Sequence, residues 1–315
     1  MDVIAITGAT GFIGGRLLDY LGCREDFQIR VLIHRNRSSK ILNRDNIIMV
    51  EGDLMCPETL NRFITRGCTV VNLVYLRGRS KQENLMAMDN LARVCTEAKI
   101  KRFIHCSTAV VAGKVPDKVI NENTTCNPIN EYEETKLAVE KILLGGNSNL
   151  FEIVILRPTA VFGPGGKNLL KLANDLREGN SVINYLKSCL FNDRKMNMVY
   201  IDNVVAAIAF LIDINKKMDR EIFIVSDDEH PLNNYSDIEK YLMKSFGHKS
   251  YRIPRIPLPF FILAFFLKLA GRSNLNPASV YDCQKLLNAG FKKPVLFDEG
   301  LAYFADWYKG KFYQN

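Results

Sequence analysis

Residues 3–21 read VIAITGATGFIGGRLLDYL. A β-rich apolar run, Val3–Ile6, leads into Gly8, Gly11 and Gly14, and the helical pattern Phe12–Leu21 begins among those glycines. Glycine there permits a tight turn and lets the backbone approach a pyrophosphate, which then rests on the unbonded N–H groups opening the helix. Gly8, Gly11, Phe12, Ile13 and Gly14 are therefore candidate dinucleotide contacts. Glycine-rich turns are common, so the weight lies in strand, loop and helix following one another in that order.

Outward from this stretch, apolar runs recur at Ile29–Ile33, Ile47–Val50, Thr69–Leu73, Arg102–Cys106, Phe151–Leu156 and Glu221–Val225. Between them lie helical patterns such as Glu83–Ala98, Glu131–Leu144 and Val204–Ile212. That alternation is the signature of βαβ units, and continuous apolar strands belong to a sheet covered on both faces. The pattern predicts an α/β fold: a doubly wound parallel sheet of the Rossmann type with a small, discontinuous C-terminal substrate lobe. Residues 1–164 and 199–226 are assigned to the dinucleotide-binding domain, and 165–198 and 227–315 to the substrate-binding lobe.

The second strand ends in RVLIHRNRSSK, residues 30–40. An acidic residue there would hold the 2′-hydroxyl of NAD, whereas His34, Arg35 and Arg37 would attract a 2′-phosphate. NADP(H) is therefore expected ahead of NAD(H). After the third strand, Asp53 and Leu54 of GDL are placed to meet the adenine edge.

The 315 residues carry a net charge of +8, with 47% hydrophobic and 24% charged residues. This is globular composition, far from that of a disordered chain. The basic balance suits an anionic small molecule, and no nucleic-acid motif accompanies it, so no nucleic acid is expected as a partner. Eight cysteines and four histidines show neither CxxC nor HxxxH spacing, so no metal site is expected. Thiols set in apolar runs, as at Cys106, fit a reducing compartment, and the N-terminus reads as a strand and not as a leader. The expected location is cytoplasmic. The longest continuous apolar run, Phe260–Leu267, falls short of the ~20 residues of a spanning helix. No transmembrane segment is expected; residues 256–270 are left as lobe core, substrate pocket or peripheral membrane contact.

Within the pattern Glu131–Leu144, Tyr132 and Lys136 stand at i and i+4, on one helix face. A free phenol titrates near ~10. A neighbouring ammonium favours the phenolate and makes the Tyr a usable acid or base. The same Lys can also hydrogen-bond the ribose of the nicotinamide half. YxxxK alone specifies little; its weight comes from following a glycine loop and a strand that ends Cys106-Ser107-Thr108.

Taken together, TGATGFIG, HCSTAVVAG, YEETK, LRPTAVFGPG, VYIDNV and DEGL resemble the extended short-chain dehydrogenase/reductase superfamily, also called the NAD-dependent epimerase/dehydratase family. The matching pieces span nearly the whole chain. The resemblance implies hydride transfer at a hydroxyl or keto carbon, with Tyr132 moving the proton and Thr108 orienting the substrate oxygen (Ser107 its alternative). It also implies that Val74 and Tyr75 line the cofactor channel, that Asn84 lies near the nicotinamide ribose, and that Pro158 meets the nicotinamide. A homodimer is the family default.

On the substrate side, many relatives act on nucleotide-activated sugars, as epimerases, dehydratases or keto-reductases. The Asn that they carry in RPxN is here Ala160, and their Arg before the late motif is Met196, with Arg194 two residues away. Ala109 and Val110 follow Thr108 where dehydratases carry an acidic pair, so a dehydratase is not expected. The sequence therefore supports an NADP(H)-dependent oxidoreductase or epimerase acting on a nucleotide-activated sugar. Its alternatives are a 3-beta-hydroxysteroid-dehydrogenase-like keto-reductase on an apolar substrate, and a non-catalytic NADP-binding regulator.

Overall fold

The apolar runs become strands in a computed structural model, which describes residues 1–34, 44–146, 150–256, 258–269 and 276–313. In chain order the first strands are β1 (Asp2–Thr7), β2 (Phe27–Ile33), β3 (Ile47–Glu51), β4 (Thr69–Asn72), β5 (Arg102–Cys106) and β6 (Val119–Ile120). They are followed by β7 (Glu152–Pro158), β8 (Ala160–Phe162), β9 (Met198–Tyr200), β10 (Glu221–Val225) and β11 (Val280–Tyr281). Seven of them form one sheet in the order β10-β7-β5-β4-β1-β2-β3, with parallel registers at β1–β2, β2–β3, β1–β4, β4–β5 and β5–β7. The order reverses between β1 and β4, which opens a crevice at the carboxyl ends of these strands. This is the doubly wound Rossmann architecture expected from the sequence.

The helices are α1 (Phe12–Leu21), α2 (Pro57–Phe63), α3 (Lys81–Glu97), α4 (Glu131–Gly145), α5 (Leu170–Glu178) and α6 (Ser181–Phe191). The later ones are α7 (Ile201–Asp213), α8 (Tyr235–Ser245), α9 (Phe260–Leu269), α10 (Gln284–Asn288) and α11 (Phe297–Phe312). The start of α3 lies two residues ahead of the periodic pattern, because Ser80 and Glu83 form a reciprocal capping box.

Two compact units emerge, one of Met1–Val111, Ile129–Arg157 and Val205–Phe223, the other of Ala112–Pro128, Pro158–Val204 and Ile224–Asn315. These boundaries depart from those drawn on the sequence, for a reason of hydrogen bonding. Residues 112–128 join the second unit because β6 pairs with β11 and the Glu122 carboxylate accepts from the Ile224 N–H at 2.8 Å. Residues 158–164 and 199–204 join it because β8 pairs with β9 in a separate two-stranded sheet.

In the first unit, Ala5, Val70, Phe103, Ile153 and Ile155 of the sheet pack with Leu91 and Val94 of α3 and with Val139 and Leu143 of α4. Each such side chain removed from water contributes about 1.5–3 kcal/mol. Buried Arg102 is compensated by Glu152 and by the carbonyls of Leu211, Ile214 and Lys216. A buried charge persists only when paired in this way.

Candidate active site

The candidate acid/base and phosphate-loop residues lie in the first unit, at the carboxyl ends of β1, β4 and β5. Gly8 has φ +76°, the left-handed region that side chains resist. A Cβ on Gly14 would lie 2.2 Å from the Gly8 oxygen and 2.6 Å from the Ala9 Cα, so only glycine lets α1 start against the loop. Gly11 caps α1 without a side-chain bond, and no acidic residue occupies the first turn. The N–H groups of Phe12, Ile13 and Gly14 therefore face the crevice end of the helix with no intrahelical acceptor. This is a cradle a pyrophosphate fits. Gly14→Ala is expected to push α1 off the loop at about 1–3 kcal/mol and to weaken dinucleotide binding by at least ~100-fold. Titration calorimetry checks this; an unchanged Kd would contradict it.

Beyond β2, His34 Nε2 stands 3.5 Å from the Asp53 carboxylate, both exposed, beside a groove of about 530 Å³ lined also by Glu51, Cys56, Thr59 and Arg62. Asp53 Oδ1 accepts from the Met55 N–H at 2.9 Å, and Thr59 Oγ1 accepts from the Asp53 N–H at 3.0 Å. Leu54 is buried, its carbonyl accepting from Asn90. Arg35 and Arg37 lie outside the described residues.

Past β4, Asn72 is buried under the crevice. Its oxygen accepts from Thr7 Oγ1 at 2.5 Å and from the Val74 N–H at 3.2 Å, and its nitrogen lies 3.0 Å from His105 Nδ1. The Val74–Tyr75 segment is thereby tied to the strands on either side. Asn84 uses its amide locally: Oδ1 accepts from the Leu76 N–H at 2.9 Å, and Nδ2 donates to the carbonyls of Leu76 and Ser80 at 3.2 and 3.1 Å. It clamps the loop that follows Tyr75.

Helix α4 is fixed at its start by Asn130, whose side chain accepts from the Glu133 N–H at 3.0 Å, while Glu133 accepts from the Ile129 N–H. That cap sets the rotation that places Tyr132 and Lys136. The Tyr132 ring meets Tyr75 edge to face at 4.9 Å, and the residue stays 38% exposed. Burial pushes the phenol above its ordinary pKa, with neighbouring Cys106 adding to the rise and the Thr108 side chain pulling the other way. Lys136 is buried, donates from Nζ to the Cys106 carbonyl at 3.0 Å and lies over the Tyr75 ring at 5.7 Å. Burial draws its ammonium below the ordinary value, against the opposing charge of Glu140. The Ser107 hydroxyl is buried without a partner. Thr108, Tyr132 and Lys136 are thus brought to one place.

Two features of this site were not singled out in the sequence. Glu140, one turn beyond Lys136, forms a buried pair with Arg157, whose Nη2 and Nε reach it at 2.5 and 3.0 Å. The i+4 spacing and the Arg of LRP were a signal available in the sequence. The Asn72–His105 contact had none, since it joins adjacent strands 33 residues apart.

In the second unit, Pro158 is the last residue of β7. Ala160 opens β8, and Met196 precedes β9. Arg194 is half-buried, over the Phe191 ring at 5.8 Å, and Lys167 and Lys171 are exposed. Among the described residues no group of three or more His, Cys, Asp or Glu could hold a metal ion.

The NAD dependent epimerase/dehydratase family model matches residues 4–225. The chain is 26% identical, over 94% of its length and 92% of the relative's, to UDP-glucose 4-epimerase of Vibrio cholerae. Its fold is similar to that of dTDP-glucose 4,6-dehydratase from Bacillus anthracis in complex with NAD, with a TM-score of 0.75 at 16% identity, covering 98% of this chain and 97% of that one. It is equally similar to UDP-glucuronic acid 4-epimerase from Bacillus cereus in complex with UDP-glucuronic acid and NAD, with a TM-score of 0.75 at 22% identity, covering 99% and 100%. With the glycine cradle, the reversed strand order and the Tyr–Lys helix already in place, the match across most of the sequence identifies the chain as a member of the NAD-dependent epimerase/dehydratase family.

Proposed function

We propose that this protein is an NADP(H)-dependent oxidoreductase or epimerase acting by reversible hydride transfer on a nucleotide-activated sugar. The observation that carries the reading is the convergence of Tyr132, Thr108 and Lys136 in one unit with the glycine cradle. Nicotinamide, when bound, supplies the hydride acceptor or donor. Tyr132 takes the hydroxyl proton as the carbon is oxidised and returns it on reduction. Thr108, beside Tyr132, holds the same oxygen. Lys136 keeps positive charge beside the phenol, which favours the phenolate. Lys136 would also hold the nicotinamide ribose through Nζ, which here donates to the Cys106 carbonyl. Asp53, Leu54, Val74 and Tyr75 complete the cofactor's surroundings in this reading, and Asn84 acts by shaping the loop beside them.

The sugar-nucleotide class is supported by the Vibrio cholerae relative and by the fold neighbour described with UDP-glucuronic acid. Ala109 and Val110, in place of acidic residues after Thr108, favour epimerisation or simple redox over dehydration, although one fold neighbour is a dehydratase. The basic residues from His34 to Arg37 favour NADP(H), although both fold neighbours were crystallised with NAD.

Ligand-dependent melting tests both points. A ligand at about 100 times its Kd stabilises the fold by about 2.7 kcal/mol. At this chain length each kcal/mol raises Tm by roughly 1.5 °C. NADPH is expected to raise Tm more than NADH, and UDP, GDP or dTDP to add a further rise that sterol-like ligands do not. A larger rise with NADH would overturn the cofactor choice. A rise with the sterol-like ligands alone would overturn the substrate class.

A further inference from the structure

A surface of the second unit, made by α6 and α9, is apolar yet exposed. The two helices pack together, and the Leu258 N–H donates to the Cys189 carbonyl at 3.1 Å. Val182, Ile183 and Leu186 on α6 and Phe261, Phe265 and Leu269 on α9 are each between 52% and 73% exposed. The three residues on α9 are spaced i, i+4, i+8 and so share one face. Ile253 and Ile256, in the segment leading to α9, are exposed as well. Large apolar side chains collected in this way mark a surface that meets something other than water.

The charge around the patch says what that is. From Lys240 to Tyr281 the sequence has seven Lys or Arg residues and no Asp or Glu. The basic and apolar groups share one place: a groove of about 630 Å³ is lined by Val182, Leu186 and Ile253 together with Lys249 and Arg252. Lys249 and Arg252 are exposed, whereas Arg255 is held by Glu239. A groove whose lining joins apolar side chains to cations and holds no Asp or Glu is complementary to a bilayer surface, with acyl chains below and phosphate headgroups at the rim. No helix among the described residues is long and apolar enough to cross a membrane.

We propose that the second unit docks on the surface of an anionic phospholipid bilayer through the α6–α9 face, with Val182, Leu186, Phe261 and Phe265 entering the interface and Lys249 and Arg252 meeting the headgroups. The docking does not depend on the reaction proposed for the first unit.

The test is co-sedimentation of the full chain with vesicles of phosphatidylcholine, with or without about one-third phosphatidylglycerol, at about 0.1 M salt. The expected result is at least tenfold tighter binding to the anionic vesicles. Phe261→Ser with Phe265→Ser is expected to lower that binding at least tenfold. Lys249→Glu with Arg252→Glu is expected to abolish the preference for anionic lipid. In Phe265→Trp, anionic vesicles should shift the added indole emission to the blue, an observation that does not need the serine variant to fold. Failure of the wild type to bind anionic vesicles, unchanged binding by the serine variant, or an unshifted indole would each overturn the proposal. So would light scattering that shows a dimer, dispersed by the serine substitutions, in a protein that ignores vesicles, since the face would then be covered by a second copy.

Discussion

Tyr132→Phe is expected to lower turnover by about 10²–10⁴-fold while leaving dinucleotide affinity close to normal. The asymmetry follows from the layout of the first unit. The phosphate cradle is built from backbone around Gly8, Gly11 and Gly14 and does not involve the phenol. The proton, by contrast, has one obvious carrier, since Tyr132 is the titratable side chain set beside Thr108. The pH profile adds a second readout. The phenol must be ionised to accept a proton, and burial raises its pKa. The rate of the oxidising direction should therefore rise toward alkaline pH in the wild type, and the residual rate of Tyr132→Phe should lack that limb. A variant with wild-type turnover would remove Tyr132 from the chemistry.

Glu140→Ala should have the largest effect on stability. Glu140 and Arg157 are both buried and bonded through two nitrogens, so removing the carboxylate deprives an interior guanidinium of its carboxylate partner. Breaking such a pair costs about 3–5 kcal/mol. At roughly 1.5 °C per kcal/mol, that is a fall in Tm of about 5–8 °C in thermal denaturation. The double substitution Glu140→Leu with Arg157→Met should recover most of the loss, because no charge is then left unpaired. If Glu140→Ala melted with the wild type, the pair would have no structural weight. The position also matters for the site, since Glu140 lies one turn from Lys136 on the same helix and opposes the loss of its charge.

The sheet and its alternation with helices were legible in the sequence because strands buried on both faces are written as unbroken apolar runs. Ile4–Ile6 of β1 and Phe103–Ile104 of β5 illustrate this, with almost no surface left to solvent. The glycine loop was legible because its constraint is steric and local: Gly14 has no room for a Cβ. The unit boundaries were less so. They depend on β6 reaching β11 and β8 reaching β9, pairings of two or three residues that leave little trace in composition. The part assigned to Asn84 also rested on the family pattern, and its amide proves to be engaged with the backbone of residues 76–80. As for residues 256–270, their apolar character was plain, but which side chains faced water required the packing of α9 on α6.

Reversible hydride transfer on a nucleotide-activated sugar is the reaction we propose for Tyr132, Thr108 and Lys136. Its most direct test is a single turnover with oxidised cofactor bound and a UDP-, GDP- or dTDP-hexose added, followed by the near-ultraviolet absorbance of reduced nicotinamide. The account predicts reduced cofactor with at least one of these sugars in the wild type and none in Tyr132→Phe. No reduction in a wild-type protein shown to bind both ligands, or equal reduction in Tyr132→Phe, would contradict it.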